Sequence, residues 1–547
     1  MVLSSYRGWL TNRVASGMAV GFIAFGLFCS AVQAAVPTFT HLYPWGLQQG
    51  TTEEITVKGS WTKWPLEVAG ELPDGLKIKP LETAGKLSVE TSPEVRAGVY
   101  HFRLFDGEGA TKVIPLIVGT VPEVREKEPN GKPGEGTQVA LPTVINGQLK
   151  ESADVDVFLI DLVEGETLSL LLVANNVLGV AMDAIIQVCD SRGFVLAQND
   201  DERGLDPQLS YIAKRTGMVQ VRLFAFPEAT NGSIAFSSNA DYIYRLTATT
   251  KRLLDFCLPL SVSAEAVVLQ LQGAGFTKES LKWTGAVEMP YVSLAGVPGI
   301  VYVPLTVGKV VVATQQSSIE SPQVVVLPAS ISGVIEQRED QDVFLLESLQ
   351  KGESLVVGLF ARSLGFPTDP LIEIYDSTGK LLSTQDDKDR VTRDPAFTYK
   401  IPVDGAYQIR IRDLHRVGGA RYAYRMEIAK LQPSVKLTLE AGEFVKSEEK
   451  LEIGVAISRL GGFADELMID IDGLPEGVSI EAMKSEGTGD SSKTVKLVLT
   501  GKWPLFSVPI RIVGTWNEGQ SQVIAEYAVA KSIIARTDPW LTSVPAK

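Results

Sequence analysis

Two acidic stretches hold the carboxylates whose spacing could do chemistry. Each has two adjacent aspartates followed by an Asp-Pro step: Asp200, Asp201 and Asp206 in the first stretch, and Asp386, Asp387 and Asp394 in the second. Such acids can bind a metal ion, or they can shape turns by accepting hydrogen bonds from nearby backbone amides. The second stretch has two extra residues before its Asp-Pro step. Because the two spacings differ, we predict turn formation rather than one shared metal geometry.

Catalytic motifs are missing from the chain. The three histidines are His41, His101 and His415, and no H-E-x-x-H, G-x-S-x-G or Cys-x-x-Cys pattern occurs. Cys189 follows a strand-like run, and its counterpart in the repeat described below is Tyr375. A nucleophile would hardly be exchanged for a packing residue, so we predict no enzyme. A carboxylate pair for glycoside hydrolysis stays open, because the separation of two acids depends on the fold.

The first 34 residues have the pattern of a signal peptide. Arg7 and Arg13 precede an apolar stretch, and small residues at Val32 and Ala34 predict cleavage after Ala34. An uncleaved membrane anchor is the alternative, although the apolar stretch is short for a membrane span. We expect a mature protein that is exported (extracellular, cell-surface or periplasmic) and does not span a membrane.

The net charge excludes one class of partner. Removal of residues 1–34 takes away two arginines and no acid, so the net charge changes from −14 to −16. Nucleic acid and anionic membranes are therefore not expected as partners. The mature chain keeps Cys189 and Cys257, which lie in different predicted domains, and we expect free thiols.

The elements that must position the acids belong to an internal repeat. An offset of 186 residues links Phe158 to Phe344, and it becomes 188 after the acidic turn, as at Tyr211 and Tyr399. Inside each copy apolar and polar residues alternate, as in AYQIRI, between turns rich in Gly, Asn and Asp-Pro. This pattern predicts antiparallel strands with one buried face, about eight in each copy.

The rest of the chain is also strand-like, so we predict an all-β fold of tandem β-sandwich domains in which two repeats alternate with Ig-like sandwiches. The predicted segments are a signal peptide (1–34), an Ig-like sandwich (35–120), repeat 1 (121–250), a small Ig-like β domain (251–320), repeat 2 (321–430), an Ig-like sandwich (431–530) and a C-terminal tail (531–547).

The repeats resemble a known domain. The series EKEPNG, INGQL, DVDVFLI, DSRGFVLAQNDD, DPQLSY and GMVQVRL is similar to the bacterial pre-peptidase C-terminal (PPC) domain, whose relatives include the collagen-binding domains of clostridial collagenases. The N-terminal HLYPWGLQQGTTEEITVKG is similar to an Ig-like domain found with such repeats in exported proteins of planctomycete-type bacteria. The PPC resemblance covers less than half of the chain and implies a β-sandwich that accompanies other domains.

The same resemblance implies a calcium site in repeat 1. In the collagenase relatives, an acidic segment before the sandwich and aspartates at an early strand bind calcium. The matching residues here are Glu126, Glu128, Asn130, Asp154 and Asp156. Alternate residues of an extended segment point the same way, as three oxygen ligands require. A charged linker and a solvated turn are the alternative. Repeat 2 keeps Asp340 and Asp342 but loses the upstream acids, which makes calcium less expected there.

These inferences predict a non-enzymatic binding or scaffold protein. It would attach to an extracellular or cell-surface polymer, either polysaccharide or protein. The alternatives are a structural spacer subunit of an envelope assembly, or an accessory component of a secreted peptidase or hydrolase system. Exposed tryptophans among Trp45, Trp61 and Trp64 would favour polymer binding, whereas buried ones would be core residues.

Overall fold

A computed structural model describes residues 35–544 except 133–134, 230–234, 285–289, 307, 316, 390–391, 447–449, 502 and 529–535. The predicted signal peptide lies outside this part of the chain. Within it, strands dominate, and the helical elements are α1 (Asn175–Leu178) and 3-10 turns at Arg362–Leu364 and Asp490–Ser492. The predicted all-β class is confirmed. None of the described helices is long and apolar enough to cross a membrane.

The N-terminal region forms two sheets, with strand orders β1-β3-β6-β5 and β2-β9-β7-β4. Its strands are β1 (His41–Tyr43), β2 (Gly46–Gln48), β3 (Thr52–Lys58), β4 (Glu67–Ala69), β5 (Leu76–Pro80), β6 (Lys86–Thr91), β7 (Gly98–Asp106), β8 (Gly109–Ala110) and β9 (Ile114–Gly119). Alternating burial along β5 and β6 shows that one face of the first sheet packs on the core.

Repeat 1 is a sandwich of two five-stranded sheets, with orders β10-β12-β19-β14-β17 and β11-β13-β18-β15-β16. Its strands are β10 (Glu123–Arg125), β11 (Thr137–Gln138), β12 (Thr143–Gln148), β13 (Asp156–Leu162), β14 (Thr167–Val173), β15 (Met182–Cys189), β16 (Val195–Asn199), β17 (Gln208–Ile212), β18 (Gly217–Pro227) and β19 (Ile243–Thr249).

Repeat 2 has the same two strand orders, β25-β27-β34-β29-β32 and β26-β28-β33-β30-β31, although β25 lies before the predicted start of the repeat at residue 321. Its strands are β25 (Lys309–Val312), β26 (Gln323–Val324), β27 (Ala329–Val334), β28 (Asp342–Leu349), β29 (Ser354–Phe360), β30 (Pro370–Asp376), β31 (Leu381–Gln385), β32 (Ala396–Lys400), β33 (Gly405–Asp413) and β34 (Ala423–Lys430).

The middle segment between the repeats contributes a three-stranded sheet, β20-β21-β22, and the hairpin β23-β24. Its strands are β20 (Phe256–Leu258), β21 (Val267–Gln272), β22 (Ser280–Trp283), β23 (Tyr291–Leu294) and β24 (Val297–Tyr302).

The C-terminal region contains three sheets, ordered β35-β37-β41-β39, β36-β45-β42 and β40-β38-β43-β44. Its strands are β35 (Ser434–Leu439), β36 (Glu443–Lys446), β37 (Leu451–Leu460), β38 (Leu467–Asp472), β39 (Val478–Ile480), β40 (Met483–Ser485), β41 (Thr494–Gly501), β42 (Phe506–Pro509), β43 (Arg511–Trp516), β44 (Ser521–Ile524) and β45 (Trp540–Ser543).

Three details differ from the sequence expectations. Each repeat has ten strands rather than about eight, because β10, β11, β25 and β26 are too short to show an alternating pattern. These four strands also pair in parallel with their neighbours, not antiparallel. The segment predicted as a C-terminal tail supplies β45, because Trp540 and Leu541 are apolar and are buried between β36 and β42.

Repeat 2 has a hydrophobic core of its own, centred on Phe344, Ile409 and Tyr424. The core of repeat 1, around Phe158 and Tyr244, is continuous with that of the N-terminal region. The two copies therefore fold to the same topology without sharing a core. The positions of the domain boundaries stay predictions.

Candidate metal centre

The predicted calcium ligands lie where the chain enters repeat 1. Glu126 directly follows β10 and stays attached to β12, because its amide donates to the Asn146 carbonyl at 3.0 Å. Glu128 and Asn130 continue this segment toward β11. Asp156 is the first residue of β13, in the facing sheet. The segment thus crosses one end of the sandwich and brings acids of two sheets together.

Three of the five predicted ligands form a cluster. Carboxylate oxygens of Glu126, Glu128 and Asp156 lie within 4.8 Å of one another. The Tyr244 hydroxyl donates to Asp156 Oδ2 at 2.5 Å and contacts Glu126 Oε2 at 3.1 Å. Glu126 Oε1 accepts the Gln148 amide at 2.7 Å. These bonds fix the carboxylates, and sequence reasoning missed Tyr244 because it lies about a hundred residues away.

Asn130 adjoins the cluster, because its backbone amide donates to Glu128 Oε2 at 2.9 Å. Its side chain is fully buried at 0% exposure, and neither its Oδ1 nor its Nδ2 has a hydrogen-bond partner. Asp156 Oδ1 is also buried without a partner. Unpaired buried polar atoms are costly, and native proteins pair nearly all of them. A hard cation bound by oxygens would satisfy Asn130 Oδ1 and Asp156 Oδ1, so the residues present fit calcium.

The pKa shifts in the cluster also indicate a site for a cation. Burial, followed by the negative charge of Asp156, raises the pKa of Glu126 to about 10. Burial also raises the pKa of Asp156 to about 7, although hydrogen bonds from Tyr244 and Glu126 oppose the rise. Glu126 and Asp156 are therefore buried closer together than two negative charges favour, and no described cation balances them by an ion pair. A divalent ion would supply the missing charge.

Asp154 does not join the cluster. Its carboxylate accepts the backbone amides of Lys150 and Glu151 at 2.7 and 3.0 Å. Asp154 therefore shapes the turn before β13, although it is only two residues from Asp156. The sequence expectation placed both aspartates in the site because alternate strand residues share a face, but Asp154 precedes the strand.

Repeat 2 preserves part of this arrangement without the upstream acids. Tyr424 donates to Asp342 Oδ2 at 2.5 Å, as Tyr244 does to Asp156. The residue that matches Glu126 is Ala313, whose amide donates to the Ser332 carbonyl at 2.8 Å. Among the residues that the structure describes, the cluster in repeat 1 is the one group with metal-ligand spacing.

The acids of the two Asp-Pro turns act as caps. Asp206 accepts the amides of Ala174, Asn175 and Asn176 at the start of α1. Asp394 does the same at the matching 3-10 turn, with Ala361, Arg362 and Ser363. The amides lie about thirty residues earlier in the chain, so these bonds are tertiary. The sequence had suggested bonds to nearby amides instead. The paired aspartates in front of them are exposed.

The three tryptophans of the N-terminal region and the two described cysteines offer little free surface. Trp45 is buried and donates to the Pro115 carbonyl. The rings of Trp61 and Trp64 contact each other at a tilt of 45°, with centroids 4.9 Å apart, and pack partly against the core. Cys189 and Cys257 are buried free thiols. The tryptophans therefore lend polymer binding less support than exposed rings would.

Comparisons with known proteins find low similarity. No protein-family model and no curated protein matches the chain. The pre-peptidase C-terminal domain of collagenase from Bacillus anthracis is 13% identical, with 22% of this chain and 100% of that chain covered and a TM-score of 0.17. The periplasmic lysozyme inhibitor PliG from Aeromonas hydrophila is 12% identical, with 22% and 97% covered and a TM-score of 0.16.

A longer solved structure, the M60 catalytic domain with two CBM51 domains of Clostridium perfringens ZmpB, is 11% identical. It covers 72% of this chain and 46% of its own, with a TM-score of 0.15. Scores this low establish neither a family nor a function, so the function is argued below from the site itself.

Proposed function

We propose that this chain is an exported, non-enzymatic binding or scaffold protein, which attaches to an extracellular or cell-surface polymer and is stabilised by calcium in repeat 1. The observation that carries the calcium part is Asn130, which is buried and unpaired beside three crowded carboxylates. The all-β architecture with two copies of one sandwich supports the binding or scaffold part, because such folds present large sheet faces and few deep pockets.

Calcium fits the donor set better than other common ions. Glu126, Glu128, Asn130 and Asp156 offer only oxygen atoms, with no histidine or cysteine for zinc or copper. Magnesium demands stricter octahedral geometry and retains its waters, whereas calcium accepts a crowded, irregular set of protein oxygens. A bound ion would join the segment after β10 to the first residue of β13. It would therefore stiffen the connection from the N-terminal region into repeat 1.

Thermal unfolding with calcium or with EGTA tests this proposal. At a calcium concentration of 100 times Kd, binding should stabilise the native protein by about 2.7 kcal/mol. Glu128→Gln should abolish the calcium-dependent shift in Tm. Glu126→Gln should abolish it too, with little change of Tm in EGTA, because the raised pKa already keeps Glu126 protonated and uncharged near neutral pH.

Glu320→Gln is the matched control. Glu320 is the acid that remains in the corresponding segment of repeat 2, where it is exposed, so this variant should keep the full shift. Identical wild-type melts in calcium and EGTA would refute the calcium site.

Polymer attachment is tested separately, by sedimentation of the protein with insoluble polysaccharides and with fibrous proteins. If none of these polymers retains the protein, the structural spacer becomes the better proposal.

A further inference from the structure

Repeat 2 has a polar cleft that is separate from the proposed calcium site of repeat 1. Two adjoining cavities of about 390 and 230 Å³ lie beside the sheet that contains β33, and they share Ile319, Glu339, Asp340 and Gln341. The loop that forms one wall is fixed to this sheet, because Gln408 Nε2 donates to the Ile319 carbonyl at 3.1 Å.

The floor of the smaller cavity is built by two neighbouring strands. Alternation along β33 places Arg410 and Arg412 on the same face of the sheet, and β30 contributes Glu373 and Tyr375. Glu373 lies directly across from Arg410 in the strand register. Arg416, from the loop after β33, completes the lining on one side.

Arg410 is the unusual residue of this floor. Its side chain is only 9% exposed, its Nε has no acceptor, and its guanidinium stacks 3.7 Å from the centroid of the Tyr375 ring. Its Nη2 donates to Gln408 Oε1 at 3.1 Å. A buried guanidinium with no carboxylate partner is costly and favours an anion brought by a ligand.

The neighbouring charges are already engaged. Arg412 contacts Glu373 at 3.4 Å, and the same carboxylate accepts the Tyr375 hydroxyl at 3.1 Å. Arg416 pairs with Glu339 at 2.7 Å on the surface. Among the described residues that line the smaller cavity, Arg410 therefore remains the cation without an ion pair.

The charge balance of the cavity restricts the kind of anion. The smaller cavity is lined by three arginines and by three acids, Glu339, Asp340 and Glu373. A dense polyanion would meet as many repulsive as attractive charges. A sugar ring with one carboxylate and several hydroxyls fits better, because the arginines bind the carboxylate while the acids accept hydroxyl hydrogens. Apart from the Tyr375 ring, Ile319 is the apolar contribution to this lining, which disfavours apolar peptide side chains.

Repeat 1 lacks this floor at the matching positions. The residue that matches Arg412 is Phe224, and those that match Glu373 and Tyr375 are Gln187 and Cys189. Arg222 matches Arg410 but is partly exposed. The two copies therefore diverged: the first keeps an acidic cluster, and the second has an arginine-lined cleft.

We propose that the cleft of repeat 2 binds a uronic-acid unit of an acidic polysaccharide, with Arg410, the cation without an ion pair, holding its carboxylate. This inference rests on the proposed polymer binding and names the substrate class. The larger cavity, lined by Ser317, Gln337 and Arg338 among others, continues from the first and gives room for a neighbouring sugar unit.

Calorimetric titration of the full mature chain with oligogalacturonate tests the proposal. EGTA is present throughout, because uronates themselves bind calcium. Arg410→Gln should weaken binding roughly tenfold or more, since it removes a charged hydrogen bond to the ligand. Arg412→Gln should weaken it less, because Arg412 already pairs with Glu373. Arg222→Gln, at the matching position of repeat 1, should bind like the wild type. A melting curve of each variant confirms that it is folded.

Four further polymers separate the outcomes. Fully methyl-esterified galacturonan should bind much more weakly, because the ester removes the negative charge. Equal binding of dextran sulfate or polyglutamate would overturn the uronate assignment, and unchanged binding in both arginine variants would overturn the site. If a neutral polysaccharide binds and galacturonate does not, this inference fails while the proposed polymer binding stands. If no polymer of any kind binds, both fail.

Discussion

Replacing Asp255 should uncouple the two repeats. Asp255 precedes β20 in the middle segment, yet its carboxylate accepts Arg203 Nη1 and Gln208 Nε2 from repeat 1 and Arg421 Nε from repeat 2. Arg421 also donates to the Glu202 side chain at 2.7 Å, and so reaches repeat 1 directly. One buried acid therefore connects three segments, and we refer to Asp255, Arg203 and Arg421 as the Asp255 clasp.

The expected loss of stability in Asp255→Ala follows from the burial of the charged side chains. The Asp255 side chain is 3% exposed, and those of Arg203 and Arg421 are 27% and 14% exposed. Removing one partner of a buried ion pair typically costs 3–5 kcal/mol, roughly, because the other charge is left unpaired. Water can partly reach Arg203, so we expect the lower end, about 3 kcal/mol, for Asp255→Ala. Burial by itself would raise the pKa of Asp255, but Arg203 and Arg421 outweigh it and hold that pKa below its ordinary value. The loss should therefore be similar in mildly acidic and neutral buffer, since the carboxylate stays ionised in both.

Differential scanning calorimetry is the assay, with Asp413→Ala as the matched control. Asp413 is equally buried, but it accepts amides of Asp369, His415 and Val417, all inside repeat 2. Asp255→Ala should separate the unfolding transitions of the two repeats, whereas Asp413→Ala should destabilise repeat 2 without separating them. A double variant with Arg421→Gln should lose less than the sum of the two single losses. An Asp255→Ala protein that melts in the same transitions as wild type would refute the clasp.

Three further predictions concern buried groups. Burial raises the pKa of Asp342 to about 7 against the opposing Tyr424 hydrogen bond, so the folded state retains a proton and stability should fall as the pH rises from about 4 to about 7. Asp342→Asn should remove this fall in urea midpoints, and parallel pH profiles for the two proteins would contradict it. Asp206→Ala and Asp394→Ala should each lower the free energy of unfolding in urea by roughly 2–3 kcal/mol, because each leaves three backbone amides without an acceptor. Unequal losses would argue against equivalent caps. Cys189 and Cys257 should resist a thiol reagent in the native protein and both react in denaturant, without prior reduction; native reactivity of Cys257, whose pKa burial raises to about 12, would show that its region opens.

The fold class and the duplication could be predicted from the sequence because both depend on local residue patterns. Alternation of apolar and polar residues marks a strand with one buried face, and the constant offset between copies preserves these patterns in order. The resemblance to the PPC domain, rather than the alternation, pointed to Glu126, Glu128 and Asp156, and the fold brings these three together.

The tertiary structure alone decided which polar groups are paired. The burial of Asn130, the reach of Tyr244 into the acids and the capping by Asp206 join residues far apart in the chain. Strand β45 could not be predicted from the sequence either, since its burial comes from β36 and β42 rather than from its own residue pattern. A local pattern records which face of a strand is buried, but the partner across the core depends on how sheets stack. For that reason the Asp255 clasp and the arginine cleft of repeat 2 could be found only in the folded protein.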